Sequence, residues 1–307
     1  MTLFKLPDVS DIVALALAED LGVAPERFAP HIAASADLLA QDATSFSAIG
    51  TDRRYRGRVV AREEAVVAGL PVVAAVFEAL SAAAGLIDPV EVFPLVAEGA
   101  RVRVGTPVLE IEGVAIAVLA GERTALDFLM LLSGIATETA RWVEAAGPDL
   151  VVCDTRKTSP GLRALSKYAV CIGGGTNHRT GLFDMVLIKD NHIRAAGGIT
   201  AAIESVRLGQ PELLVEVEAD TLAQAKEAVE AGADLVLLDN MSDDLLAEAV
   251  LAIHEAAELF DRHVLTEASG GIGRERVSAL RATGVDRVST SALTLGVRAI
   301  DFGLDET

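Results

Sequence analysis

The sequence predicts an α/β protein in two parts: a separate α+β domain, followed by parallel βαβ units that form an incomplete (β/α) barrel. Three observations lead there. From Leu150 onward, short runs rich in Val, Leu and Ile alternate with helical patterns at roughly twenty-five-residue spacing. Polar and charged residues gather directly after those runs. The first half lacks this beat and reads as strands flanking a helix. A doubly wound sheet is the other arrangement the alternation allows. No Gly-x-Gly-x-x-Gly follows the first strand, so a dinucleotide-binding sheet has little support.

Taken in order, Ser10–Asp20 reads as an amphipathic helix. Gly57–Val67 and Val102–Ile111 read as antiparallel strands around a helix near Val72–Ala84. A long helical pattern runs from Ala120 to about Ala146 and ends before Gly147-Pro148. The strands of the second part are Leu150–Cys153, Met185–Ile188, Leu213–Val217, Leu235–Leu238, Val264–Thr266 and Arg287–Ser289, with Tyr168–Ile172 as a weaker seventh. Between them, Ile199–Leu208, Leu222–Ala231, Asp243–Leu259 and Arg274–Thr283 carry apolar residues at helical spacing. Asp220 is the expected N-cap of the second of these helices and Ser242 of the third. Gly232 and Gly284 fall where C-caps belong. The domains expected are 1–128 and 129–291; the tail, about 292–307, could pack back on the first.

Of the 307 residues, 51% are apolar, enough for a large core, and the excess is Ala, Val and Leu rather than aromatics. The longest apolar stretch, Ala65–Ala83, is cut by Gly69, Pro71 and Glu78, so no membrane span is expected. The first five residues lack the basic start and apolar run of a secretory signal, which points to the cytoplasm. A formal net charge of −19 argues against nucleic acid or an anionic membrane as partner, and makes any local cluster of cations informative. Cys153 and Cys171 sit in apolar runs and are expected to be buried structural thiols.

Parallel barrels build their sites from the loops after the strands. Here those positions hold Asp154-Thr-Arg-Lys-Thr-Ser-Pro-Gly161, Lys189-Asp-Asn-His192, Glu218, Asp239-Asn240, Glu267-Ala-Ser-Gly-Gly271 and Thr290-Ser291. One such loop would mean little; six converging are a site. Arg156 and Lys157 could be solvated loop charges, but a turn closed by Pro160-Gly161 would fix them. Lys189 follows a buried strand, so its head belongs at the barrel mouth, free to pair with Glu218 or Asp239. Those two carboxylates, at the ends of consecutive strands, also suit Mg²⁺ shared with a substrate diphosphate. Ser269-Gly270-Gly271 is expected to open the following helix, where bare amides receive phosphate. In Gly173-Gly-Gly-Thr-Asn-His-Arg179, three glycines present His178 and Arg179. An acidic chain thus concentrates Arg156, Lys157, Arg179 and Lys189, with His178 and His192, around one pocket suited to a small polyanion.

The same residues carry a family resemblance. Asp154–Gly161 with Leu162–Val170, then Gly173–Arg179 and Met185–His192, resembles the signature of quinolinate phosphoribosyltransferases; Gly121–Leu129, Leu237–Ser242 and Glu267–Ile272 agree. The resemblance runs from about Arg58 to Leu304. It implies an N-terminal α+β sandwich domain beside an incomplete (β/α) barrel of the type II phosphoribosyltransferase kind, in a homodimer with shared sites. It implies the transfer of a phosphoribosyl group from phosphoribosyl pyrophosphate to quinolinate with decarboxylation, giving nicotinate mononucleotide for NAD synthesis. Arg123 would reach the neighbouring subunit's site. Thr155, Arg156, His178, Arg179 and Lys189 would bind quinolinate. Lys157, Glu218, Asp239, Asn240, Ser269, Gly270, Gly271 and Ser291 would hold phosphoribosyl pyrophosphate. Mg²⁺ would lie on Glu218 and Asp239, and Lys157, Glu218 and Asp239 would be the catalytic groups.

Two departures stand out. Val23–Gln41 has the character of an insertion before Asp42-Ala-Thr-Ser45. Ser291-Ala-Leu-Thr-Leu-Gly296 has Ser where the family usually has Gly. A barrel enzyme using Lys189 as a Schiff-base amine is a rival reading, but it leaves Thr155–Lys157 and Gly173–Arg179 unexplained.

Overall fold

The computed structural model describes residues 5–307 and divides them into two compact units. The first contains the chain up to Glu138, with Pro160–Gly173 and Val297–Thr307; the second contains Thr139–Ser159 and Gly174–Gly296. The division therefore falls ten residues beyond the expected boundary at Phe128, inside a continuous helix.

In the first unit, α1 (Ser10–Leu21) buries Val13, Leu17, Ala18 and Leu21, a single stripe at helical spacing. The Val23–Gln41 segment follows with two 3₁₀ turns, Pro25–Phe28 and Ala36–Gln41, the second burying Leu38 and Leu39. It is tied down where the Ser35 amide donates to the Ala83 carbonyl at 2.9 Å. Then come α2 (Ala43–Ala48), β1 (Arg54–Ala61), β2 (Ala65–Val66), α3 (Leu70–Ala84), β3 (Glu91–Pro94), β4 (Arg101–Val102), β5 (Pro107–Val114) and α4 (Ala115–Ala146). Each strand expected here is broken in two. Glu63-Glu64 interrupt the first, and a turn closed by the Thr106 amide on the Arg103 carbonyl, ahead of Pro107, interrupts the second. β3, which no alternation announces, is mostly exposed and pairs antiparallel with β5. The apolar run Ala115–Leu119 follows β5 with no breaker, so α4 starts five residues before its expected beginning.

In the second unit, β6 (Val151–Cys153) comes first. The next helix, α5 (Arg163–Ile172), groups with the first unit. It corrects the expected strand at Tyr168–Ile172. A five-residue apolar run fits either state, and here the Gly173 amide returns to the Ala169 carbonyl at 3.0 Å, as in a helix. The alternation then runs β7 (Val186–Ile188), α6 (Asp190–Ala196), α7 (Ile199–Gly209), β8 (Val215–Ala219), α8 (Leu222–Ala231), β9 (Leu235–Asp239), α9 (Asp243–Leu259), β10 (Leu265–Ser269), α10 (Arg274–Leu280) and β11 (Arg287–Ser289). The last strand, β12 (Phe302–Glu306), leaves this unit and pairs antiparallel with β1, in a sheet ordered β12-β1-β5-β3.

The six strands of the second unit form one parallel sheet in the order β6-β11-β10-β9-β8-β7. β6 and β7 are its edges and do not pair with each other, so the barrel is incomplete. Thr176 partly covers the open edge through a parallel bridge to Cys153. Both cysteines are free and buried. Ser242 caps α9 by accepting the Leu245 amide, as expected. The cap of α8 is Thr221 and not Asp220: Thr221 Oγ1 accepts the Gln224 amide at 3.2 Å, while the Asp220 backbone amide is taken by the Gln224 side chain. Gly232 and Gly284 adopt left-handed φ at their helix ends. Among the described residues, no helix is long and apolar enough to cross a membrane.

Candidate active site

Every strand of the parallel sheet delivers polar residues at its C-terminal end, because in parallel pairing all six ends face the same way. After β6 come Asp154, Thr155, Arg156 and Lys157. Asp154 is fully buried and its Oδ1 accepts the His178 amide at 2.8 Å, joining this loop to the glycine-rich one. Thr155 Oγ1 accepts the Lys157 amide at 3.0 Å, and the Lys157 carbonyl accepts the Thr294 hydroxyl at 2.7 Å. This backbone is fixed while the Lys157 side chain stays exposed. Arg156 Nε is buried and meets no hydrogen-bond partner.

Arg179 is half-buried, and among the described residues its guanidinium donates a hydrogen bond only to the Met185 carbonyl, at 3.3 Å from Nη1. Burial, and then the nearby Arg156 guanidinium, lower its pKa. Two guanidiniums held close enough to repel, one with a buried Nε–H that has no protein acceptor, suit an anion with two negative ends.

His178 sits deeper than the sequence suggested. It is buried: Nδ1 accepts the Arg179 amide at 2.8 Å, and Nε2 lies 2.9 Å from Glu216 Oε2 and 3.5 Å from Glu267 Oε1. Burial disfavours a charged ring, but the two carboxylates outweigh it and push the pKa up to about 9. The Arg179 amide opposes them, since it needs a lone pair on Nδ1. Burial and the neighbouring Glu267 raise the Glu216 pKa. Glu216 and Glu267 are fully buried in β8 and β10, and sequence reading gave neither a role. Val215-Glu-Val-Glu-Ala carried a usable signal, because alternation puts Glu216 and Glu218 on one face of the strand.

At the mouth, Lys189 Nζ pairs with Glu218 Oε2, one of the two partners anticipated for it. His192 is spent elsewhere: its Nδ1 accepts the Lys189 amide at 2.9 Å at the start of α6. Asp239 ends β9, where its Oδ2 accepts from the Asn240 side chain, and Asn240 itself has a left-handed φ of 54°. Glu218 and Asp239 offer an all-oxygen donor pair on adjacent strands, which suits a hard divalent cation.

Thr155, Lys157, Ser269, Gly270, Gly271 and Ser291 share one small cavity of about 280 Å³. Ser269-Gly270-Gly271 does not open a helix as expected. Ile272 and Gly273 intervene before α10, and the glycines take φ of 88° and 58° to turn the chain away from β10. A Cβ on Gly270 would stand 2.8 Å from the Asn240 backbone nitrogen, so glycine is required for that close approach. In the first unit, Arg123 Nη1 lies 3.4 Å from Asp127 and lines a cavity of about 570 Å³ with Glu19 and Asp20.

The chain matches the description "Quinolinate phosphoribosyl transferase, N-terminal domain" over residues 42–133 and "Quinolinate phosphoribosyl transferase, C-terminal domain" over residues 135–305. It is 40% identical over 265 residues to the "Nicotinate-nucleotide pyrophosphorylase [carboxylating]" of Mycobacterium leprae, covering 86% of this chain and 90% of that one. It is 43% identical over 252 residues to the probable enzyme of the same name from Synechocystis, covering 81% of each chain. Among solved structures it is similar to NadC from Streptococcus pyogenes, with a TM-score of 0.83, 36% identity and 97% of each chain covered. It is also similar to the nicotinate-nucleotide pyrophosphorylase of Ehrlichia chaffeensis, with a TM-score of 0.84, 32% identity, and 99% of this chain and 100% of that one covered.

Proposed function

The chain belongs to the quinolinate phosphoribosyltransferase family, and we propose from that premise that its parallel-sheet unit takes quinolinate at the cationic end of the site and phosphoribosyl pyrophosphate at the glycine-rich end. The reaction joins the pyridine nitrogen to ribose C1 and releases diphosphate; the 2-carboxylate then leaves as CO₂ and a proton from solvent takes its place on C2, giving nicotinate mononucleotide for NAD synthesis. The observation that carries the assignment of residues is the Arg156–Arg179 pair, with Arg156 Nε buried and open. A dicarboxylate satisfies both guanidiniums at once.

Arg156, Arg179 and Lys189 hold the two carboxylates, with Thr155 beside them and His178 beneath. Lys189, already paired with Glu218, is shared between that carboxylate and the substrate. Lys157 and the Ser269–Gly271 amides receive the phosphates, with Asn240 and Ser291 completing that end. As the bond to diphosphate breaks, positive charge builds on the ribose, and Glu218 or Asp239 stabilises it. Lys157 offsets the charge of the leaving group. No proton needs to be moved for the nitrogen to attack, so the residues mostly position reactants and neutralise charge. Glu218 and Asp239 would hold Mg²⁺, which would supply further charge neutralisation at the diphosphate. The working form is a cytoplasmic homodimer in which Arg123 reaches the partner's pocket.

The test is incubation with quinolinate, phosphoribosyl pyrophosphate and Mg²⁺, following nicotinate mononucleotide by absorbance. Product should form with the parent protein and fail to form with Arg179→Ala, or with nicotinate in place of quinolinate. Nicotinate turned over as well as quinolinate would show that the paired guanidiniums do not read a second carboxylate.

A further inference from the structure

Two members of the buried cluster of His178, Glu216 and Glu267, the carboxylates, have no part in the chemistry described above. Its ligand atoms lie within 4.8 Å of one another, close enough to suggest a metal site. The ring hydrogen argues otherwise. Nδ1 accepts the Arg179 amide at 2.8 Å, so it carries the lone pair and the hydrogen of the neutral ring sits on Nε2. A metal on Nε2 needs the lone pair there. The displaced hydrogen would then confront the Arg179 N–H. What faces Nε2 is a pair of carboxylates, Glu216 Oε2 at 2.9 Å and Glu267 Oε1 at 3.5 Å.

The same contacts lead outward to the substrate pocket. The His178–Arg179 peptide is gripped twice, by Asp154 Oδ1 on the His178 amide and by the His178 ring on the Arg179 amide. The Arg179 guanidinium has only a long 3.3 Å contact to the Met185 carbonyl, so its aim depends on that backbone. The ring in turn rests on Glu216 and Glu267, which stand on neighbouring-but-one strands of the rigid sheet and are fully buried. Burying two carboxylates is costly, and packing alone would favour apolar residues there.

We propose that Glu216 and Glu267 are positioning residues for quinolinate: they hold the His178 ring from below, and the ring sets the Arg179 backbone and thereby the direction of its guanidinium. This rests on the reading of Arg179 as a quinolinate ligand. Neither carboxylate touches substrate; both act through His178, and the Glu216 charge also lies near the Arg179 guanidinium.

The test uses Glu216→Leu and Glu267→Leu, which fill the space without an acceptor, and Glu216→Gln and Glu267→Gln, which keep one. The leucine variants should raise the KM for quinolinate about tenfold or more while the KM for phosphoribosyl pyrophosphate stays within about twofold of the parent. The glutamine variants should recover most of the loss, because the amide oxygen still accepts from Nε2. An unchanged quinolinate KM in the leucine variants, or equal rises in both KM values, would overturn the proposal. Should the leucine variants not fold, ¹⁵N NMR of the histidine-labelled parent decides, with His178 assigned by its loss in His178→Asn. With the spectra taken above pH 9, where the ring is neutral, a hydrogen on Nε2 supports the proposal, and one on Nδ1 overturns it. Arg179→Ala separates the two readings. If it binds quinolinate normally by calorimetry, the pocket assignment fails; if it loses binding while the leucine variants keep it, only the positioning role fails.

Discussion

Gly270 and Gly271 are adjacent, both have positive φ, and only one of them should be hard to replace. Gly271 has φ of 58°, at the centre of the left-handed region, and a Cβ there would meet nothing within 4 Å. Gly271→Ala should therefore cost only the left-handed backbone penalty, about 1–2 kcal/mol. Gly270 has φ of 88°, and a Cβ there would meet Asn240 Oδ1 at 2.3 Å and the Asn240 backbone nitrogen at 2.8 Å. The side-chain oxygen can swing away; the backbone nitrogen cannot without losing its 3.0 Å hydrogen bond to the Ser269 carbonyl. Adding that lost bond and the overpacking to the backbone term, Gly270→Ala should cost about 3–6 kcal/mol. Because Asn240 follows Asp239 directly, the damage should also appear as a raised KM for phosphoribosyl pyrophosphate with the KM for quinolinate little changed. Thermal unfolding and steady-state kinetics on the two variants side by side provide the assay. Equal losses of stability would refute the reasoning, as would an unaltered phosphoribosyl pyrophosphate KM in Gly270→Ala.

Other outcomes can be checked on the same protein. Lys189→Met removes a charged partner of both Glu218 and the substrate, so the KM for quinolinate should rise by about 10–100-fold, equivalent to about 1.5–3 kcal/mol. Ser291→Gly removes a hydroxyl from the small cavity and should raise the KM for phosphoribosyl pyrophosphate by about 2–10-fold; a lowered KM would mean that the serine crowds the phosphate. Equal mixtures of Arg123→Ala and Arg179→Ala chains, refolded together, should regain about one quarter of the parent activity, because half the dimers then hold one intact site. No regain would place Arg123 outside the shared pocket. Burial pushes the Cys153 thiol up to about 12, leaving almost no thiolate at pH 8; neither Cys153 nor the buried Cys171 should react with a disulfide reagent until the protein is denatured.

The sequence by itself determined the strand–helix alternation of the second unit, because each element there depends on a local period that its own residues display. Leu222–Ala231 and Asp243–Leu259 form at their expected bounds, and the cationic and acidic residues sit at the strand ends that parallel pairing dictates. Local pattern failed where short segments fit two states. Tyr168–Ile172 became the end of a helix, and β3 and β12 became strands because β5 and β1 offer them backbone partners far away in the chain. The site divides the same way. The expectation that Arg156, Lys157, Arg179 and Lys189 belong together came from their loops, and the structure brings Arg156 near Arg179. The inward turn of His178 could not, because its environment is made by Asp154, Glu216 and Glu267 from three other parts of the chain. Alternation could put Glu216 on the inner face of its strand, but only the parallel register of β8, β9 and β10 brings it and Glu267 around one imidazole. A carboxylate's role depends on what packs against it, and that is decided by tertiary structure.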